Sequence, residues 1–174
     1  MVIGTDLVLH ERPDPDSVVR DGRALGDLMC RAARAFSMPL AFSPMDLRLD
    51  KADLLRRLGV PDAEIDAFHF DEELPAEVLE RARSTAFAPF DPLYGARLEA
   101  LRHCSEQPDL IPCATVLGPF SLVTKLLSDP IEAVAVRGSG TTAREDEDAA
   151  LLEQVLELAQ LAVHRSVRAQ IEAG

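Results

Sequence analysis

Apolar positions along the chain recur with two different periods. Leu25, Leu28, Met29, Ala32, Ala33 and Phe36 follow three- and four-residue spacing, which predicts an amphipathic helix opened near Ser17 and ended before Ser37-Met38-Pro39. The short apolar run "MPLAFS" (38–43) reads as a buried strand, and Leu54, Leu55 and Leu58 share one face of a following helix with Gly59 at its C-terminal cap. "DAFHFD" (66–71) reads as another short strand. Pro75 opens a further helix, and a longer one starts at about Leu93. "LIPCATVLG" (110–118) is the clearest strand, predicted to be buried on both faces, and "PFSLVTKLLSD" (119–129) is the helix after it. "VAVRGSGTTAREDED" (134–148) reads as a polar loop. A final helix over about 145–173 carries the stripe Leu152, Val155, Leu156, Ala159, Val163, Val167 and Ile171, with Gly174 at its cap. Residues 1–16, with "VIGTDLVLH" and then "ERPDPD", read as an N-terminal extension: a short extended piece and a Pro-rich connector.

Helices of ten or more residues between apolar strands predict parallel pairing and an α/β fold. Three or four strands are too few to close an eight-stranded barrel, and the sequence closes on a helix. Residues 17–174 are therefore expected to form the N-terminal half of a TIM-type (β/α)8 barrel, with no internal repeat and no further domain boundary.

Charge narrows the partners. Thirty acidic against 18 basic residues leave a net charge of −12, which repels phosphate backbones and anionic bilayers, so neither nucleic acid nor membrane is expected as a partner. No apolar run approaches the ~20 residues that span a bilayer, and the N-terminal stretch lacks the basic region of a secretory signal. A cytoplasmic location is the expectation. The three cysteines, Cys30, Cys104 and Cys113, form no CxxC pair and read as free thiols. His103-Cys104 lacks further close ligands, and His10, His69 and His164 stand singly, so no metal site is expected in this chain. Gly138-Ser139-Gly140 lacks the third glycine of a phosphate-binding turn.

Three stretches together, "MPLAFSPMDLRLDKADLLRRLG", "LIPCATVLGPFSLVTKLLSDP" and "LLEQVLELAQLAVHRSVRAQIEAG", resemble the N-terminal half of the uroporphyrinogen decarboxylase family, which also holds corrinoid-dependent methyltransferases. The resemblance covers about residues 20–174, and the "GPF" turn brings it closer to the methyltransferase branch. It implies tetrapyrrole decarboxylation or corrinoid-linked methyl transfer by a complete barrel, with zinc or a corrinoid as possible cofactors there and a tetrapyrrole or corrinoid as ligand. The methyltransferase zinc ligands lie in the barrel's second half, so the resemblance places no metal in this chain, which alone is expected to be inactive. The alternative is a non-catalytic half-barrel interaction subunit that self-associates or takes a second barrel half. Arg31 and Arg34, in "CRAARAF", are only faintly similar to the decarboxylases' arginine motif and read as helix-surface residues.

Two places could face a ligand. Asp46, in "FSPMDL", follows a strand; the resemblance makes it a ligand contact at the barrel mouth, whereas its residue type equally suits a helix N-cap. Asp50 is the better cap if the helix starts later. In Gly118-Pro119-Phe120-Ser121, Gly118 permits close backbone approach, Pro119 fixes the turn and Phe120 offers an apolar wall to a flat macrocycle. The other reading has Pro119 starting the helix and Phe120 packed in the core, and the general burial of apolar residues beside strands favours it.

Overall fold

The computed structural model describes residues 4–174, which form nine helices and two strands. In chain order these are α1 (Gly4–His10), α2 (Pro15–Arg20), α3 (Gly22–Ala35), β1 (Leu40–Phe42), α4 (Leu49–Leu58), α5 (Ala76–Ser84), α6 (Pro92–Ser105), β2 (Ile111–Cys113), α7 (Pro119–Leu126), α8 (Pro130–Gly138) and α9 (Glu147–Ala173). The architecture is mostly helical with a small parallel sheet, α/β in the broad sense. Packing divides the chain into two compact units, a division that composition does not mark. The first holds residues up to Leu49, Pro89–Val116 and Val167–Gly174; the second holds Asp50–Ala88 and Leu117–Ser166.

In the first unit β1 and β2 pair in parallel, Leu40 opposite Ile111 and Phe42 opposite Cys113. The pairing continues past the strand, with Ser43 N donating to Cys113 O at 2.9 Å. Helix α3 starts where Asp21 accepts a hydrogen bond from Ala24 N at 2.9 Å, and it ends at Ser37, whose φ of 52° reverses the chain toward β1. Its stripe Leu25, Met29 and Ala33 packs against Leu98, Leu101 and Cys104 of α6 in one core, which Ala173 at the end of α9 also joins. Gly22 and Gly26, one turn apart, let α3 approach α6 closely. A Cβ on Gly22 would lie 2.7 Å from Ala96 O, and one on Gly26 would lie 2.8 Å from the His103 ring.

The second unit contains α4, α5, α7, α8 and most of α9. Gly59, at φ +91°, ends α4 in the left-handed cap that the sequence predicts. Phe70 N donates to Leu126 O at 2.7 Å, forming an isolated parallel bridge between Phe70 and Leu127. Pro119 starts α7, and Asp129 caps α8 by accepting from Ile131 N and Glu132 N.

Several expectations are corrected. "GTDLVLH" is helical rather than extended, because Thr5 and Leu9, four residues apart, share its buried face; Met1–Ile3 lie outside the described residues. Asp14, not Ser17, caps the following helix: Ser17 N donates to Asp14 Oδ1 at 3.1 Å, and α3 is opened separately by Asp21. The strand in "LIPCATVLG" is three residues long and is not buried on both faces, since Ile111 is 59% exposed. An apolar run does not by itself reveal how many of its faces are covered. "DAFHFD" supplies one bridge rather than a strand, so two strands stand among the described residues where three or four were expected. Residues 134–138 belong to α8, and the polar loop begins only at Ser139. Ile171 is exposed, whereas Ser166 and Gln170 are buried on the face of α9 that turns inward at its C-terminal end. No helix among the described residues is long and apolar enough to cross a membrane.

Candidate ligand cavity

Beyond β1 the chain runs through Ser43, Pro44 and Met45 to Asp46 before α4 begins at Leu49. The start of this stretch, from Phe42 to Pro44, is held from several parts of the first unit. Phe42 O accepts from Thr5 Oγ1 at 2.7 Å, and the buried Ser43 hydroxyl lies 3.4 Å from Thr115 Oγ1, just past β2. Pro44 O accepts from the Arg97 guanidinium of α6. Gln170 of α9 donates to Tyr94 Oη at 2.9 Å and to Thr115 O at 3.2 Å. These bonds satisfy the polar groups that parallel strands leave open at their carboxyl ends, the end at which α/β folds present ligand-binding loops.

Asp46 sits in the loop so held. Its Oδ1 accepts from Arg48 N and Arg48 Nε, each at 3.0 Å, and its Oδ2 accepts from Arg48 Nη2 at 3.0 Å. Burial pushes the Asp46 pKa up, but the hydrogen bonds from Arg48 and the charges of Arg48 and Arg97 outweigh it and hold the carboxyl below the ordinary aspartate range. Asp46 is thus an anion at neutral pH, and it closes a turn onto Arg48 rather than capping α4.

A cavity of about 480 Å³ opens here, a volume within the range of small-molecule sites. Leu9, Val19, Leu25 and Leu93 supply apolar wall, while Asp46, Arg48, Arg97 and His10 supply polar groups. The lining can receive a ligand with an extended apolar face, an N–H or cationic group for Asp46, and an anionic group for the exposed Arg48.

The other candidates lie elsewhere. Gly118, Pro119 and Phe120 belong to the second unit, Asp46 to the first. Pro119 is the first residue of α7. Gly118 has an ordinary φ of −67°, and a Cβ there would meet nothing within 4 Å, so no close backbone approach requires the glycine. Phe120 is 56% exposed, which overturns the core packing favoured for it and leaves an apolar face presented to solvent. A helix N-terminus turns its first residues outward unless another element covers them. Arg31 and Arg34 are exposed as expected, and Arg34 pairs with Asp109 at 2.8 Å.

Asp50 is not an exposed cap. It is buried in the first turn of α4, where Oδ1 accepts from Ser166 Oγ at 2.9 Å and Oδ2 accepts from Leu117 N at 3.4 Å. One turn on, buried Asp53 Oδ2 accepts from Arg57 Nε at 3.0 Å and from Arg165 Nε at 3.2 Å. The Asp53–Arg165 pair holds α4 to α9 within the second unit, and the Asp53–Arg57 pair lies within α4. Sequence reading missed Arg97 and Asp53, although each stands at helical spacing from core residues: Arg97 from Tyr94 and Leu101, and Asp53 from Leu49.

Among the described residues no three or more His, Cys, Asp or Glu side chains gather as metal ligands. Comparison with protein-family models, with curated proteins and with solved structures returned no match to this chain.

Proposed function

We propose that the chain is the N-terminal half of a (β/α)8 barrel of the uroporphyrinogen decarboxylase and corrinoid methyltransferase type. Its role in that barrel is to bind a tetrapyrrole or corrinoid. The observation that carries this reading is the ionised Asp46 carboxylate, held just past the carboxyl end of a parallel strand and lining a cavity of about 480 Å³. A carboxylate in that position accepts hydrogen bonds from ring N–H groups or side-chain amides, and the neighbouring Arg48 suits a peripheral carboxylate. The parallel β1–β2 pair, joined through three helices, and the "GPF" turn opening α7 support the barrel assignment. Decarboxylation or methyl transfer belongs to a complete barrel; the residues described here bind and orient.

The test is binding of a fluorescent porphyrin carboxylate, and separately of cobalamin, to the chain and to Asp46→Asn. Losing a charge-assisted hydrogen bond worth about 1.5–3 kcal/mol should weaken binding by about tenfold or more. Equal affinity in both proteins, or no saturable binding of either ligand to the native chain, refutes the reading.

A second reading, a non-catalytic subunit that completes its sheet with another copy or a second half, draws on the two-stranded sheet and the 59% exposure of Ile111 on β2. It requires association, so a single monomeric species in sedimentation velocity at high protein concentration excludes it.

A further inference from the structure

Arg97 is a buried cation beside the apolar core of α6. Only 5% of it is exposed, on a face of α6 shared with Tyr94, Leu98 and Leu101, yet it lines the same cavity as Asp46. Burying a guanidinium is costly unless it makes specific bonds. One of its bonds goes to Pro44 O, two residues before Asp46 in the loop that leaves β1. Within the first unit it thus links the α6 scaffold to the backbone that carries the cavity's carboxylate. Arg48, by contrast, is mostly exposed and comes from the loop itself.

We infer that Arg97 is the positioning residue of the cavity: by holding the Pro44 carbonyl it sets the loop from Pro44 to Arg48 and keeps Asp46 facing the cavity. The inference rests on the reading of Asp46 as the ligand-facing group. The Arg97 charge supports it, since that charge also helps hold the Asp46 carboxyl ionised. The other charged or titratable groups around the cavity are Asp6 and His10 of α1, Asp16 of α2 and Arg48 of the loop. Among the arginines, Arg97 alone comes from a helix of the core.

The test needs no ligand, so its failure is distinguishable from a failure of porphyrin binding. In the full chain, the Asp46 carboxyl is titrated by carbon-detected NMR, and amide exchange is followed along residues 45–48, in the native protein, Arg97→Met and Arg97→Lys. Arg97→Met should move the Asp46 midpoint upward and speed exchange at 45–48, while amides of α3 and of the rest of α6 keep their protection. Arg97→Lys keeps the charge but not the forked donor geometry, so it should leave the midpoint nearer native and still loosen the loop. An unchanged loop in both variants overturns the inference. So does loosening of 45–48 only in step with the whole unit, which marks Arg97 as ordinary packing. If Arg97→Met does not fold, the lysine variant decides alone: native loop protection refutes the inference, and local loosening supports it.

Discussion

The Ser166 hydroxyl donates to Asp50 Oδ1 over 2.9 Å, joining the first turn of α4 to α9 inside the second unit. Both residues are buried, and the other carboxylate oxygen of Asp50 accepts from Leu117 N. Asp50→Ala leaves a buried hydroxyl and a buried amide without this acceptor, at a cost of about 2 kcal/mol, and Ser166→Ala should cost about 1 kcal/mol. The double variant should cost less than the sum, because the two residues share one bond. Urea unfolding of the four proteins measures the coupling. Strict additivity would show that the bond contributes nothing.

Gly22→Ala should destabilise the protein even though alanine is the better helix former by about 1 kcal/mol. The added Cβ would fall 2.7 Å from the Ala96 carbonyl oxygen, a backbone atom of α6 that cannot turn aside as a side chain can. Gly138→Ala serves as the control: it is also helical and has open space around it, so it should be neutral or stabilising. Thermal melts that rank the two variants the other way would remove close α3–α6 packing as the reason for Gly22.

Asp46 gives the acid limb of stability a defined sign. Its folded pKa lies below the unfolded value of about 3.9. Its contribution is therefore fully present above that value and is lost as pH falls from there through the lower folded value. Asp46→Asn should flatten the stability profile within that acidic window and leave the slope above pH 5 unchanged. Arg48 is largely exposed, so the effect should be small and should shrink further in high salt. Denaturant midpoints measured between pH 2 and 6 check this.

The thiols should separate by burial. Cys30 and Cys104 lie in the α3–α6 core with their sulfurs 3.4 Å apart, and burial, followed by the Cys30 contact, pushes the Cys104 pKa far up. Cys113 on β2 is half-buried, and its pKa is raised by burial alone. A disulfide reagent at neutral pH should modify Cys113 first, and Cys30 and Cys104 only as the protein unfolds. Protection of Cys113 alongside the other two would mean that β2 is covered in solution, as the subunit reading requires.

The sequence by itself determined the helices whose signals are local. Leu25, Met29 and Ala33 place α3 through their spacing, Gly59 ends α4 and Pro119 opens α7, because helical periodicity, a left-handed cap and a proline's fixed φ each act within a few residues. Asp46 was legible as a loop carboxylate after a strand for the same reason. The partners of charged residues were decided only by tertiary structure. Asp50 reads as a helix cap, and Asp53 draws no reading at all, until α9 delivers Ser166 and Arg165 from more than a hundred positions away. Arg97 is one of several charged residues on α6, and nothing local shows that Pro44, 53 positions away, receives its hydrogen bond. Strand extent was likewise invisible, since a strand is as long as its neighbour's hydrogen bonds allow, and β2 stops at three residues within an apolar run nearly three times that length. Such long-range choices depend on which surfaces meet, and the free energy that settles them comes from burying groups contributed by distant parts of the chain.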